Sequence, residues 1–176
     1  MRQQWIATVA AVATLSFFAG PALAASVEVK GLHLCCPRCC TVAKGLLAKV
    51  KGVSDATADK GTKTVTFTAA DDKAVEAGLK ALMAGGFYGA ATSDGKEIKM
   101  GAAPKKGDKA DEVTVKGVHS CCGQCRTALT KLFGEAKVTF NGKGPQQDVT
   151  ISGKDLDQGE VIEALRKTGF NGTIAK

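Results

Sequence analysis

All seven cysteines of the chain fall in two short clusters, Cys35-Cys36-Pro37-Arg38-Cys39-Cys40 and Cys121-Cys122-Gly123-Gln124-Cys125, and its only two histidines, His33 and His119, stand just before them. A disulfide scaffold spreads cysteines through a chain to staple distant elements, whereas clustered cysteines serve local chemistry. Each cluster contains a Cys-x-x-Cys pair, Cys36/Cys39 and Cys122/Cys125, with Arg38 or Arg126 beside it. Thiolates are soft ligands that select Cu(I), Zn(II) and similar ions over Mg(II) or Ca(II). The same arrangement also does thiol-disulfide exchange, so both readings stay open at this point.

The elements that must hold these groups occur twice. The segment from Val27 to Cys39 (VEVKGLHLCCPRC) recurs from Val113 to Cys125 (VTVKGVHSCCGQC). Val65-Thr66-Phe67-Thr68 matches Val149-Thr150-Ile151-Ser152, and Gly86-Phe87-Tyr88-Gly89 matches Gly169-Phe170-Asn171-Gly172. The period exceeds the ~20 to 50 residues of solenoid repeats, so the unit is a duplicated domain.

Each copy reads alike. Alternating Val27 and Val29, or Val113 and Val115, predict a first strand. Ala43, Leu46, Leu47 and Val50 at helical spacing predict a first helix opening at the Cys-x-x-Cys, as do Leu129, Leu132 and Phe133 in the second copy. Its exposed N–H groups and positive dipole end favour thiolate over thiol. Cys39, in line with Ala43 and Leu46, is expected to face inward and Cys36 outward.

Two alternating segments predict a hairpin, 53–58 with 64–68 and then 137–140 with 148–152. A second helix carries Val75, Leu79 and Leu82 behind Asp72 as its cap, and its counterpart carries Val161, Ile162 and Leu165 behind an Asp157-x-x-Glu160 capping box. A short strand follows each Gly-Phe pair, whose Phe87 and Phe170 are expected to anchor the core. The predicted order is βαββαβ twice. It assigns an α+β fold of two tandem ferredoxin-like domains with antiparallel four-stranded sheets.

The domain limits follow. Residues 1–24 read as a signal peptide, with Arg2, an apolar run from Trp5 to Gly20, and Ala22-Leu23-Ala24 as the cleavage pattern. Domain 1 spans 26–100, a linker with Pro104-Lys105-Lys106-Gly107 spans 101–111, and domain 2 spans 112–176. The linker is expected to be a flexible tether long enough for the cysteine loops to meet. The signal makes the protein exported, periplasmic or extracellular, and its thiols then sit in an oxidising compartment. The formal net charge of +7 includes Arg2 of the signal, the rest is spread over both copies, and only 5% of the 176 residues are aromatic. This argues for a lysine-rich solvated surface and against nucleic-acid binding. No Ser/His/Asp set or carboxylate pair suggests an enzyme.

A strand ending in glycine, a Cys-x-x-Cys loop opening the first helix, the βαββαβ order and a late Gly-Phe pair resemble the heavy-metal-associated domain of copper chaperones, of copper-transporting ATPase N-termini and of the periplasmic mercury-binding protein. The resemblance implies Cu(I), with Hg(II) as a further ion, held by Cys36 and Cys39 and by Cys122 and Cys125 in near-linear geometry. It also implies passage of the ion to or from a donor or acceptor protein, with the chain as a monomer touching membrane only through its signal peptide. The family's Gly-Met-x-Cys-x-x-Cys is replaced here by a loop two residues longer, without the methionine and with an added cysteine. Cys35, Cys121, His33 and His119 are accessory ligand candidates. One sulfur and the histidine added to a pair would make a Cys-Cys-Cys-His set for Zn(II). The second reading from the residues is an extracytoplasmic thiol-disulfide oxidoreductase, and a third is an inert adaptor with its cysteines closed as local disulfides.

Overall fold

The computed structural model describes residues 24–175; the expected signal peptide, apart from Ala24, lies outside the described residues. The chain is a mixed α+β protein with two antiparallel sheets and four helices among the described residues. The first half runs β1 (Ala25–Lys30), α1 (Pro37–Leu47), β2 (Val53–Asp59), β3 (Thr64–Ala69), α2 (Asp72–Ala84), β4 (Ala90–Ser93) and β5 (Lys96–Ile98). The second runs β6 (Lys109–His119), α3 (Gly123–Leu132), β7 (Lys137–Asn141), β8 (Gln146–Asp157), α4 (Gln158–Lys167) and β9 (Thr173–Ile174). Sheet order is β2-β3-β1-β4-β5 in the first half and β7-β8-β6-β9 in the second.

The strand count corrects the expected pair of four-stranded sheets. Asp94 and Gly95 both take positive φ and turn the chain back on itself, so Lys96–Ile98 pairs with β4 as a fifth strand. Among the described residues no equivalent strand follows β9 in the second half. Its own departure lies in length. β8 continues to Asp157, and Lys109 and Ala110 pair with Asp157 and Leu156 across a bulge, so β6 begins inside the segment expected as linker.

The cores follow from strand alternation. Val27 and Val29 on β1 and Val65, Phe67 and Ala69 on β3 are buried under Ala43 and Leu47 of α1 and Val75, Leu79 and Leu82 of α2. Val113, Val115, Val149 and Ile151 are likewise buried under Leu129 of α3 and Val161, Ile162 and Leu165 of α4. Gly78 lets α2 close on the sheet: a Cβ there would stand 2.7 Å from the Phe67 ring.

Asp71, and not the expected Asp72, caps α2, its carboxylate accepting from the Ala74 N–H at 2.7 Å. Asp157 caps α4 as expected and accepts from the N–H groups of Gly159, Glu160 and Gly107. The bond from Gly107, together with the Lys106 to Glu163 ion pair, fastens the connecting segment along α4.

Candidate metal centre at the junction of the halves

Each Cys-x-x-Cys occupies the start of a helix. Cys36 and Cys122 are the N-cap residues of α1 and α3, both in extended conformation and neither using its side chain to cap. Cys39 and Cys125 stand three residues on, inside the first turn, where they are fully buried, while Cys36 and Cys122 remain half-exposed. The expected inward and outward assignment of Cys39 and Cys36 therefore holds. Within a pair the sulfurs are 3.5 Å apart for Cys36 and Cys39 and 3.6 Å for Cys122 and Cys125.

The two pairs are neighbours. Cys39 Sγ lies 3.4 Å from Cys121 Sγ, and Cys36 Sγ 3.8 Å from it. Cys35 Sγ lies 3.4 Å from Cys125 Sγ, 3.5 Å from Cys122 Sγ and 3.6 Å from Cys39 Sγ. Six of the seven cysteines thus form one connected thiol cluster, with both accessory cysteines inside it. Cys40 is not among the sulfurs in these contacts.

The meeting of the halves is built from the residues that the duplication repeats. Phe87 and Phe170 face each other in an isolated antiparallel bridge. The Gly169 carbonyl accepts from the N–H groups of His33 (3.1 Å) and Tyr88 (3.2 Å), while the Gly86 carbonyl accepts from the Asn171 N–H (2.8 Å). Gly86 and Gly169 both have positive φ. A Cβ on either would run into the opposite half's backbone, at Gly117–His119 or at Gly31–His33. Each Gly-Phe pair, its phenylalanine expected to anchor the core, is also the contact surface of its half. Arg166 stacks its guanidinium over Tyr88, 4.6 Å from the ring centroid, at the edge of this junction.

The histidines complete it reciprocally. His33 stacks on Phe170 at a centroid distance of 4.1 Å, and His119 lies against Phe87 at 4.2 Å. His119 is fully buried, and neither of its ring nitrogens has a hydrogen-bond partner; nor does His33 Nε2. Buried polar atoms are normally paired, and a metal ion among the neighbouring sulfurs would give these nitrogens a partner. Cys39, His119, Cys121 and Cys125 present ligand atoms all within 4.8 Å of one another, as do His33, Cys35 and Cys125, and Cys35, Cys36 and Cys122. This buried Cys/His cluster could hold a metal ion.

Charge in the cluster is shared unequally. Thiol donation from Cys125, opposed by burial and helped by His119, Cys121 and Cys36, holds Cys39 far below the ordinary thiol range. Its donor Cys125 is pushed up by that same bond and by burial. Burial raises Cys35 and Cys121. Burial opposes ionisation of Cys122, but backbone N–H bonds from Cys125 and Gln124 with thiol bonds from Cys35 and Cys125 bring it down to about 7. Burial lowers His33 and so keeps its imidazole neutral, the form that ligates. A thiol biased toward thiolate beside thiols biased toward protonation favours a soft cation, whose binding would displace the remaining protons.

A cleft of about 430 Å³ reaches Cys121 and Cys122 and is lined by Arg38, Arg126, Lys143 and Gln147. No protein-family model, curated protein or solved structure matches the chain.

Proposed function

We propose that the chain is an exported protein that binds soft metal ions, Cu(I) first among them, in the thiol cluster between two ferredoxin-like domains of heavy-metal-associated type. One observation carries the reading. The two Cys-x-x-Cys pairs and both accessory cysteines converge in a single cluster whose flanking imidazole nitrogens lack partners. Half-exposed Cys36 and Cys122 beside buried Cys39 and Cys125 also suit thiol-disulfide exchange, so metal uptake and disulfide reduction have to be measured side by side. The cationic cleft suits an approach by an anionic donor or acceptor surface, through which the ion would be delivered or withdrawn by ligand exchange. Sequestration and transfer both fit.

Zn(II) is the second reading, favoured by one specific set: Cys39, Cys121, Cys125 and His119 supply the three sulfurs and one nitrogen of a structural zinc site. Competition separates the two. Reduced protein is expected to withdraw Cu(I) from a chromogenic chelator in the presence of excess Zn(II). Replacing Cys36, Cys39, Cys122 and Cys125 together by serine should abolish that withdrawal. Retention of Zn(II) against Cu(I) would decide for zinc, and insulin reduction without metal uptake would decide for the oxidoreductase. Export is tested by the N-terminal mass of the protein recovered outside the cytoplasm, expected to begin at Ala25.

A further inference from the structure

The six clustered sulfurs are closely spaced throughout. They fall into two triangles, Cys36/Cys39/Cys121 with edges of 3.5, 3.8 and 3.4 Å and Cys122/Cys125/Cys35 with edges of 3.6, 3.5 and 3.4 Å. Each triangle takes two sulfurs from one half and one from the other. The lent sulfur is always the extra cysteine that precedes the pair. His119 groups with Cys39 and Cys121 of the first triangle and also with Cys125 of the second, while His33 groups with Cys35 and Cys125.

We propose that the cluster is two adjoining soft-metal sites with exchanged ligands, each made of the Cys-x-x-Cys of one half and the His-x-Cys of the other. The first site is Cys36, Cys39, Cys121 and His119. The second is Cys122, Cys125, Cys35 and His33. The inference rests on the soft-metal reading and replaces a separate two-sulfur site in each half by a pair of sites that neither half can complete.

Dimensions favour three sulfurs over two. With metal–sulfur bonds of ~2.3 Å, a linear ion needs sulfurs ~4.6 Å apart, well beyond either pair as it stands. A triangle of ~3.6 Å edge places its corners ~2.1 Å from the centroid. An ion ~1 Å out of that plane reaches ~2.3 Å to all three sulfurs. The 3.6 Å contact between Cys35 and Cys39 joins the two triangles, so two ions would be held side by side.

The test uses the full chain. In the background Cys122→Ser/Cys125→Ser only the first site is left. Adding Cys121→Ser, in the opposite half from the surviving pair, is expected to weaken Cu(I) retention at least ~10-fold and to lower the sulfur count by X-ray absorption from three to two. Adding Cys35→Ser, in the same half as the pair, is expected to leave both readouts unchanged. The mirror background Cys36→Ser/Cys39→Ser should reverse the roles of Cys35 and Cys121, and circular dichroism confirms that each variant is folded. An effect of Cys35→Ser and not Cys121→Ser in the first background, or of neither, overturns the exchange. Loss of all Cu(I) from a background that is folded overturns the division into two sites. Failure of the unaltered protein to retain Cu(I) overturns the soft-metal reading itself.

Discussion

The two halves agree where they touch and differ where they do not. The positive-φ glycine after the first strand, the histidine two residues on, the Cys-Cys-x-x-Cys and the Gly-Phe pair occur in both, and all lie in or beside the junction. The fifth strand, Cys40, Pro37 and the long bulged β6 and β8 belong to one half only. Tyr88 and Asn171 make the point within the junction: both donate a backbone N–H to the opposite half's glycine carbonyl, while their side chains differ, Tyr88 lying under Arg166 and Asn171 Nδ2 donating to the Met83 carbonyl. What the duplication has kept is a contact together with its chemistry, and what has diverged is scaffold.

The comparison breaks first at the phenylalanines. Phe87 and Phe170 are fully buried, and each supports the histidine of the other half. Either changed to Ala is expected to cost ~3 to 5 kcal/mol in chemical unfolding. Phe170→Ala should also loosen Cu(I) binding in the site containing His33. If the loss were confined to stability, the stack would be packing alone.

Next come the glycines. Gly169→Ala imposes strain and drives a methyl into the Gly31–His33 backbone, whereas Gly31→Ala, at a similar φ of +82°, meets nothing within 4 Å. The first is expected to cost ~2 to 4 kcal/mol and the second only the ~1 to 2 kcal/mol of a left-handed non-glycine residue, read from urea midpoints. Equal costs would show that close approach contributes nothing at this contact.

The helix caps differ more mildly. Asp157 accepts three backbone N–H bonds, one of them from the connecting segment, and Asp71 accepts one. Asp157→Ala should therefore destabilise more than Asp71→Ala, for which ~1 kcal/mol is expected. The Gly107 N–H, followed by that of Glu160, lowers the Asp157 carboxyl from its ordinary value. Its stabilisation is thus complete above pH ~4 and fades as pH falls through the lower folded value. The difference between wild type and Asp157→Ala, followed by thermal melts from pH 7 downward, should narrow below pH ~4.

The smallest effect is expected at Cys40, which has no counterpart and makes none of the sulfur contacts. Cys40→Ser should leave Cu(I) stoichiometry unchanged by native mass spectrometry. A lost equivalent would bring the seventh sulfur into the centre.

Much of this was legible in the residues. Apolar spacing located all four helices, and the repeat fixed the strand order, because amphipathic periods are set by the very faces that become buried. Asp72 was misread for Asp71 because two adjacent aspartates satisfy the capping pattern equally. Lys96–Ile98 is too short to carry a period, and the segment expected over 148–152 stops short of the strand, which continues to Asp157. The junction itself left only an indirect trace. Hydrophobic periodicity reports which face of an element is covered and not which partner covers it, so the doubled Gly-Phe and the doubled histidine were the available signal.

The bridge between Phe87 and Phe170 pairs the same residue type with itself in antiparallel fashion, as a two-fold contact between identical subunits would. Two unlinked copies making that contact would assemble a centre whose abundance fell with the square of dilution. Carried on one chain, with the connecting segment fastened to α4, the encounter is first order and the ligands stay assembled however scarce the protein becomes.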